Sequence, residues 1–281
     1  MNQQDKVEQY YEQSTKYLLK YWSDEKSLGF HYGFWYPNTK SRSEALENQH
    51  KEILKILQPQ PNDIILDAGC GIGGVSMWLA KKTSAIYTGI TLSGNQVKLA
   101  KKYALKRRVS DQVTFHKMNF FHTSFATKSF DKIFAIESFC HAYPDLKKLF
   151  QEMYRLLKPG GRMVISDANL LRQPRNNREQ KWLNDFNDGW AVNGLWSIDE
   201  ITKVLHEVMF KKVEIIDRVK IVKKNITQIF WIGLVTLPLL KIQQFFGLVS
   251  DTILGNNKAA FAQKKLVDSG ILGYSTVVAD K

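Results

Sequence analysis

A glycine-dense turn that follows an apolar run is the part of this chain whose residue types best suit ligand chemistry. Residues 64–66 are apolar and lead into Asp67, and the turn then contains Gly69, Gly71, Gly73 and Gly74. Glycine has no Cβ, so such a turn lets the backbone approach a ligand that side chains would block. Residues 75–82 have helical character. The pattern therefore predicts a strand–turn–helix nucleotide site with the ligand at the helix N-terminus.

The same glycines leave two ligand classes to be separated. Gly69, Gly71 and Gly74 satisfy the dinucleotide spacing G-x-G-x-x-G. A dinucleotide site also uses an Asp or Glu about 20 residues further on, for the ribose hydroxyls, and the next expected strand here ends in Thr91. The carboxylate instead precedes the glycines, at Asp67, where it suits a ligand with a cationic end and no pyrophosphate. A nicotinamide-dependent reductase, which would use the same glycines for a dinucleotide, is therefore the less favoured interpretation of this turn.

The pattern D-x-G-C-G-x-G-G closely resembles motif I of the class I S-adenosylmethionine (SAM) methyltransferases. Nearly the whole chain resembles one subgroup of that family, the tocopherol, sterol and related small-molecule methyltransferases. Besides motif I, the segments that carry the resemblance are Tyr10-Tyr11, residues 29–35, residues 88–93 with Gln96, residues 134–141 and residues 157–161.

The resemblance implies an enzyme of class EC 2.1.1 that uses SAM as its cofactor. Its expected acceptor is a lipophilic small molecule (isoprenoid, sterol-like or aromatic natural product), methylated on carbon or oxygen. The same pattern also occurs in enzymes that methylate alkaloid nitrogens, so a small-molecule N-methyltransferase is the first alternative.

For the cofactor, we expect Asp67 to pair with the methionyl ammonium and the glycine turn to host the methionine carboxylate or the ribose. The resemblance places Thr91 and Gln96 near the ribose, in place of the usual acid. Asn119 stands where the general family has an Asp that accepts from the adenine amino group, and its carbonyl oxygen can still accept. The expected cofactor-binding residues are Asp67, Gly69, Cys70, Gly71, Gly73, Thr91, Leu92, Gln96, Asn119, Phe120, Glu137, Tyr10 and Tyr32.

Glu137 and His141 are the expected catalytic residues, because they follow the fourth strand at its carboxyl end. An apolar pocket would raise the pKa of Glu137, which then serves as a base or stabilises developing positive charge. His141 is a proton acceptor near neutrality. The alternative, in which Glu137 only binds the cofactor and His141 caps a helix, stays open. His and Cys show no metal-ligand spacing, so no metal site is expected.

Strands and helices alternate along the centre of the chain, which predicts a doubly wound, mostly parallel seven-stranded α/β sheet with a Rossmann-like methyltransferase fold. The expected strands are 63–68, 85–91, 112–117, 131–137, 161–167, 212–219 and 274–279, and the expected helices are 74–82, 93–106 and 145–157. The resemblance implies that the last two strands form a hairpin with the final strand antiparallel. We expect one catalytic domain with three parts, an aromatic helical lid (1–58), the SAM-binding core (59–170) and the acceptor-site helices with the end of the sheet (171–281).

Two apolar features admit more than one interpretation. Trp182, Phe186 and Trp190 recur at helical spacing, as either core residues or a cover for the active site. The segment from Ile229 to Val249 is expected to be mostly buried, with an apolar stretch that contains Pro238 and is too short to span a membrane. It forms either a core or dimer contact, or a roof over the acceptor pocket that touches an anionic membrane. The flanking lysines, which would favour the membrane contact, are Lys220, Lys223, Lys224 and Lys241.

The net charge of +13 favours a solvated basic face first and an anionic membrane second. We expect no nucleic-acid partner, because no recognised binding module accompanies the charge. Cys70 and Cys140 are the only cysteines of the sequence, and the N-terminus lacks the regions of a signal peptide. The expected location is therefore the cytoplasm, with peripheral membrane contact, for a monomer or a homodimer.

Overall fold

The computed structural model describes residues 2–23 and 25–281, and within them seven strands form one sheet in the order β3-β2-β1-β4-β5-β7-β6. The strands are β1 (Ile64–Ala68), β2 (Ile86–Thr91), β3 (Val113–Lys117), β4 (Phe130–Ile136), β5 (Leu157–Leu170), β6 (Lys211–Asp217) and β7 (Leu272–Asp280). β7 runs antiparallel to both β5 and β6, and the other neighbours are parallel. The expected seven-stranded sheet and its antiparallel terminal hairpin are confirmed.

Helices cover both faces of this sheet. They are α1 (Gln3–Tyr21), α2 (Arg42–Leu57), α3 (Gly74–Ala80), α4 (Gly94–Arg107), α5 (Leu146–Leu156), α6 (Asn177–Gly189), α7 (Ile198–Glu207), α8 (Val219–Phe245) and α9 (Asp251–Asp268), with a short 3-10 helix at Phe139–Ala142. Successive strand residues point to opposite faces. In β4, Ile133 packs in the cluster shared with α5 and α7, whereas Phe134 packs in the cluster shared with α2, α3 and α4.

β5 is the strand that departs most from its expected bounds. It begins at Leu157, before the Pro-Gly-Gly turn expected to precede it, and continues to Leu170. Leu157 already pairs with Phe130, and the register then shifts before Arg162 pairs with Lys132. Gly160, at φ +76°, lies within this irregularity. The turn is therefore an interruption inside the strand, and the long pairing with β7 extends its other end.

α1 lies across the carboxyl ends of the central strands and is held there by polar contacts. Glu8 accepts a hydrogen bond from Lys117 at the end of β3 (2.6 Å). Glu12 accepts from the Ser93 hydroxyl (2.8 Å) and from the Asn95 backbone N–H (3.1 Å), at the start of α4. These contacts fix the N-terminal helix over the sheet edge where the functional side chains converge.

α8 corrects the expectation for the segment from Ile229 to Val249. The helix runs without interruption through Pro238, and most of its large apolar side chains beyond residue 230 are exposed. By length and composition α8 is the one helix of residues 2–23 and 25–281 that is able to cross a membrane. The expectations of burial and of insufficient length were therefore wrong. The reason is that only Gly233 and Leu240 of this half reach the protein interior.

Candidate active site

The carboxyl ends of β1, β2 and β4 surround a pocket, here named the cofactor cavity, whose empty space is about 850 Å³ with the part that is open to solvent. Ten of the residues expected to act in cofactor binding or catalysis line it, namely Asp67, Gly69, Cys70, Gly71, Thr91, Leu92, Gln96, Phe120, Glu137 and His141. The turn, the second strand and the fourth strand therefore bring their polar groups to one place.

The glycines of the turn serve two different purposes. A Cβ at Gly69 would lie 2.2 Å from the Cβ of Ser138, and one at Gly73 would lie 2.3 Å from Phe115. Both glycines have positive φ, +100° and +78°, so side chains are excluded there by packing and by backbone conformation. A Cβ at Gly71 would meet nothing closer than Phe30, at 3.8 Å. Gly71 therefore leaves open space toward the cavity, whereas Gly73 lies outside the lining and forms the N-cap of α3.

Asp67 is buried and accepts a hydrogen bond from the Ser76 hydroxyl at 2.6 Å. Burial raises the pKa of this carboxyl to about 7, and the Ser76 hydrogen bond lowers it only in part. In the described part of the chain, no Lys or Arg lines the cofactor cavity. The carboxyl therefore faces space in which a cationic ligand group would be its counter-ion.

Thr91 and Gln96 bind each other and connect the cavity to α1. The Thr91 hydroxyl donates to Oε1 of Gln96 (2.6 Å), and Nε2 of Gln96 donates to the Thr15 hydroxyl (3.3 Å). Thr15 in turn donates to the carbonyl oxygen of Tyr11 (2.5 Å). This chain of hydrogen bonds joins the end of β2, α4 and α1 behind the cavity wall.

Asn119 is not among the residues that line the cofactor cavity. Its side-chain oxygen accepts from the backbone N–H of Phe121 at 2.9 Å, a local bond that Asn side chains commonly make two residues on. The oxygen keeps a second lone pair, so its contact with adenine stays a prediction. Tyr10 and Tyr32 are also outside this cavity, and both line its neighbour.

The neighbouring cavity, here named the acceptor cavity, measures about 610 Å³ and is mostly aromatic. Its lining residues are Tyr10, Tyr11, Leu18, Trp22, Phe30, Tyr32, Glu137, Cys140, His141, Asp167, Ala168, Phe186, Trp190 and Val192. Phe186 lies on α6 and Trp190 directly after it, and both pack in a core cluster with α9 and also face the cavity, which combines the two interpretations of that stripe. No residue of α8 lines either cavity, which contradicts the alternative that this segment is a roof over the acceptor pocket.

Four residues line both cavities and form the wall between them: Tyr11, Phe30, Glu137 and His141. Glu137 follows β4 with φ +48°, an uncommon conformation for a residue with a side chain. Its Oε1 accepts from the Tyr32 backbone N–H (2.7 Å) and from the Tyr274 hydroxyl (2.8 Å). Burial nevertheless raises the pKa of Glu137 to about 8.

His141 is held as a neutral imidazole at the same wall. Its Nδ1 lies 3.2 Å from the carbonyl oxygen of Ala191, which can only accept, so Nδ1 carries the proton. Nε2 then accepts from the Tyr11 hydroxyl at 2.9 Å. Burial lowers the pKa of His141 to about 4, well below the neutral value expected from sequence.

Residues 66–165 match the family described as "Methyltransferase domain". Methyltransferase GfsG of Streptomyces halstedii is 36% identical over 164 residues, which are 57% of this chain and 57% of that protein. Sterol 24-C-methyltransferase of Saccharomyces cerevisiae is 31% identical over 184 residues, 65% of this chain and 48% of that protein. Residues 66–165 therefore carry a methyltransferase domain, and the chain is similar to a sterol methyltransferase over 65% of its length. It spans about half the length of these curated relatives.

Solved structures share the whole fold of this chain at low sequence identity. The cyclase SpnF has a TM-score of 0.84 and 20% identity, with coverage of 100% of this chain and 97% of that one. A geranyl diphosphate C-methyltransferase from Streptomyces coelicolor A3(2) has a TM-score of 0.74 and 21% identity, with coverage of 100% and 98%. At this identity the likeness establishes the fold and leaves the reaction to the site.

Two residues of the methyltransferase site were missed by the sequence reasoning. Tyr274, which donates to Glu137, comes from β7, and only the insertion of β7 beside β5 brings it near β4. Asp167 lines the acceptor cavity, and its oxygens accept from the backbone N–H groups of Cys140 (2.9 Å) and Ala168 (2.8 Å). Burial raises its pKa to about 6. A signal for Asp167 existed, because an acid in the last part of a buried parallel strand lies at the ligand-binding edge.

Proposed function

We propose that this chain transfers a methyl group from SAM to carbon or oxygen of a neutral, lipophilic small molecule of isoprenoid, sterol-like or aromatic character. The observation that carries the proposal is the shared wall of the two cavities, formed by Tyr11, Phe30, Glu137 and His141. A donor in one cavity and an acceptor in the other would meet at this wall. Holding two reactants in contact in this way is a large part of catalysis.

The residues of the cofactor cavity fit SAM. Asp67 is a buried carboxyl that faces space without a Lys or Arg among the described lining residues, which suits the ammonium of a methionyl group. Gly71 leaves room for close backbone approach. Thr91 and Phe120 line the part that would take the adenosyl group. When bound, SAM supplies an electrophilic methyl group.

The acceptor cavity supports a neutral acceptor and disfavours an anionic one. In the described part of the chain, its lining contains the carboxyl groups of Glu137 and Asp167 and no Lys or Arg. A diphosphate would meet two carboxyl groups and mainly aromatic or aliphatic side chains there, and an uncompensated buried anion is costly. This chain therefore differs in its expected acceptor from the similar structure described as a complex with Mg²⁺ and geranyl diphosphate. The sterol methyltransferase relative, by its name, acts on a neutral lipid.

At the shared wall, Glu137 is the group best suited to take a proton. Its raised pKa of about 8 lies close to neutral pH, where a general base is most effective. Its negative charge, when present, also stabilises positive charge that develops on the acceptor. His141 is a weaker base because of its lowered pKa, and through Nε2 it holds the Tyr11 hydroxyl in place at the wall.

A hydrophobic amine is the second candidate acceptor. Glu137 and Asp167 lie in one aromatic cavity, and carboxylates with aromatic faces also bind cations. This arrangement would serve N-methylation, with the amine lone pair attacking the methyl group.

For location, we propose a cytoplasmic enzyme that contacts an anionic membrane peripherally. The formal charge of +13 supports attraction to such a surface. A lipophilic acceptor concentrates in lipid, so contact with a membrane brings the enzyme to its substrate.

Calorimetry with SAM and with NADPH, followed by transfer of a labelled methyl group, tests the proposal. The acceptors to compare are a sterol, a polyprenol, a prenylated phenol, a hydrophobic amine and geranyl diphosphate. We expect SAM to bind, NADPH not to bind, and label to reach a neutral acceptor. Tight binding of NADPH without SAM would overturn the family function, and label on geranyl diphosphate alone would overturn the acceptor class.

A further inference from the structure

The two faces of α8 have opposite surroundings. Residues on one face are buried at positions 222, 225, 226, 229, 233 and 240. Of these, Val222, Ile226 and Ile229 pack in one cluster with Tyr32, Phe34, Ala260 and Tyr274. At 100° per residue these positions lie together on one side of the helix. On the other side, Val235 is 77% exposed and Phe245 is 85% exposed. The large apolar side chains exposed on α8 and directly after it are Trp231, Ile232, Leu234, Val235, Leu239, Ile242, Phe245, Phe246 and Leu248.

This set, here named the outer face of α8, is bordered by basic residues. Lys220 and Lys224 are exposed and occupy the same side of the helix, about three and two turns before the apolar part, and Lys241 is exposed beside it. A contiguous apolar patch with a basic border is typical of helices that lie in the interface of an anionic lipid layer. The net charge of +13 acts in the same direction.

The packed face of α8 decides between lying on a membrane and spanning it. Val222, Ile226 and Ile229 form one cluster with Tyr32 and Tyr274, which are the donors of the two hydrogen bonds to Glu137. A spanning α8 would have to withdraw these residues and break up the active-site wall. An α8 that lies in the interface keeps this packing and immerses only its outer face.

The outer face also leads toward the acceptor cavity. Exposed Ile232 lines a crevice together with Tyr21 and Trp22, at the end of α1. Trp22 lines the acceptor cavity as well, where its ring contacts that of Trp190 at 6.0 Å between centroids. The crevice and the acceptor cavity thus share one side chain, on the side of the molecule that carries the apolar patch.

We propose that the outer face of α8 docks into the interface of an anionic lipid layer and presents the Trp22 side of the acceptor cavity to that layer. The part of this proposal that concerns the acceptor rests on the proposed methyltransferase function. A second copy of the chain is the competing occupant, but it carries the same charge of +13, whereas anionic lipid provides the opposite charge.

Flotation of the purified full-length protein with vesicles of phosphatidylcholine, with and without phosphatidylglycerol, tests the docking. We expect flotation with phosphatidylglycerol at low salt and release as salt rises. The double variant Phe245→Ser/Phe246→Ser should lose at least about tenfold in vesicle affinity, because two exposed aromatic side chains no longer enter the lipid. The matched control is Leu105→Ser/Leu171→Ser, whose side chains are 68% and 55% exposed outside α8, and it should float like the wild type.

A charge variant and an extraction step complete the test. Lys220→Glu/Lys241→Glu should lower binding to phosphatidylglycerol vesicles and leave the packed face of α8 intact, as judged by an unchanged thermal melting curve. Alkaline carbonate should release the bound wild-type protein.

The proposal is overturned by any of four results. These are no flotation at low salt, equal flotation of the Phe245→Ser/Phe246→Ser variant, retention after carbonate, and a solution dimer that this variant dissociates. SAM calorimetry distinguishes failure of the membrane docking from failure of the proposed methyltransferase function. The double variant should keep wild-type SAM affinity, whereas absence of SAM binding in the wild type would refute the proposed function whatever the vesicles show.

Discussion

The cofactor cavity and the acceptor cavity share a wall but are built in different ways. Asp67, Gly69, Cys70 and Gly71 reach the cofactor cavity from one strand–turn–helix unit, and α1, residues 28–31 and the segments that follow β2, β3 and β4 complete its lining. The acceptor cavity is lined by side chains from α1, the segment after it, the ends of β4 and β5, and α6. It has no counterpart of the glycine turn, so its shape depends on side chains from distant segments.

The two cavities also differ in how their buried carboxyl groups are supported. Asp67 has one side-chain donor, Ser76, whereas Glu137 has the Tyr32 backbone and the Tyr274 hydroxyl. Burial outweighs these hydrogen bonds in both cases and raises both pKa values, to about 7 and about 8. We infer that Asp67 gains its missing partner from the cofactor and that Glu137 acts at the wall. Variants of the two residues test this assignment of Asp67 to cofactor binding and of Glu137 to catalysis.

The largest effect is expected at the wall, for Glu137→Gln. The amide keeps the shape but cannot take a proton or carry negative charge, so turnover should fall by roughly 10² to 10⁴-fold. SAM affinity should change much less. Steady-state kinetics on the identified acceptor measures the loss of turnover, and SAM calorimetry measures the affinity for SAM. Near-full kcat would show that catalysis is by proximity alone.

Asp67→Asn should act on the other cavity, with a loss of about a hundredfold in SAM affinity, the order expected when a buried charged partner is removed. In the ligand-free protein, by contrast, Asp67→Asn should increase the free energy of unfolding. The folded pKa of Asp67 is raised above its unfolded value, so wild-type stability falls as pH rises toward about 7, and Asn lacks this loss. The variant should therefore melt higher than wild type above neutral pH. Exposed Asp111→Asn is the control, and unchanged SAM affinity in Asp67→Asn would remove this residue from the site.

SAM affinity should depend on pH, because a cationic ligand group beside Asp67 favours the ionised carboxyl. Below its raised pKa, Asp67 is largely protonated, so SAM affinity should rise by up to about tenfold per pH unit between about pH 6 and pH 7. Calorimetry in buffers of different ionisation enthalpy measures the protons released on binding. The dependence of SAM affinity on pH should be weaker in Asp67→Asn. A flat profile in the wild type would mean that the cofactor's charge lies away from Asp67.

The smallest effect is expected for Tyr11→Phe, which removes the hydroxyl that donates to His141. The loss of one hydrogen bond at the wall should lower kcat by about tenfold and leave SAM affinity near wild type. Tyr17→Phe, on the same helix, is the matched control. If both variants have the same kcat, the Tyr11–His141 pair has no part in turnover.

The sequence predicted features that depend on neighbouring residues and missed those that depend on distant segments. The glycine turn was predictable because its conformation depends on neighbouring residues, and the alternating elements led to the sheet within about two residues at most ends, β5 excepted. Tyr274 was not predictable, since its distance from Glu137 depends on the order of strands in the sheet. The turn that engages the Asn119 oxygen was not predictable either, and the adenine contact of this residue stays a prediction.

α8 was misjudged for a related reason. Its composition indicated burial, but burial depends on whether other elements extend far enough to cover a helix. Beyond Ile229 only two positions of α8 meet the interior, and no pattern within the segment determines where its partners end.

A crystal structure with S-adenosylhomocysteine is the decisive test of methyl transfer across the wall of Tyr11, Phe30, Glu137 and His141. We expect the amino group of the ligand to lie on Asp67 and its sulfur to face the acceptor cavity beside Glu137. A ligand whose sulfur points away from that wall, or whose amino group lies elsewhere, would contradict it.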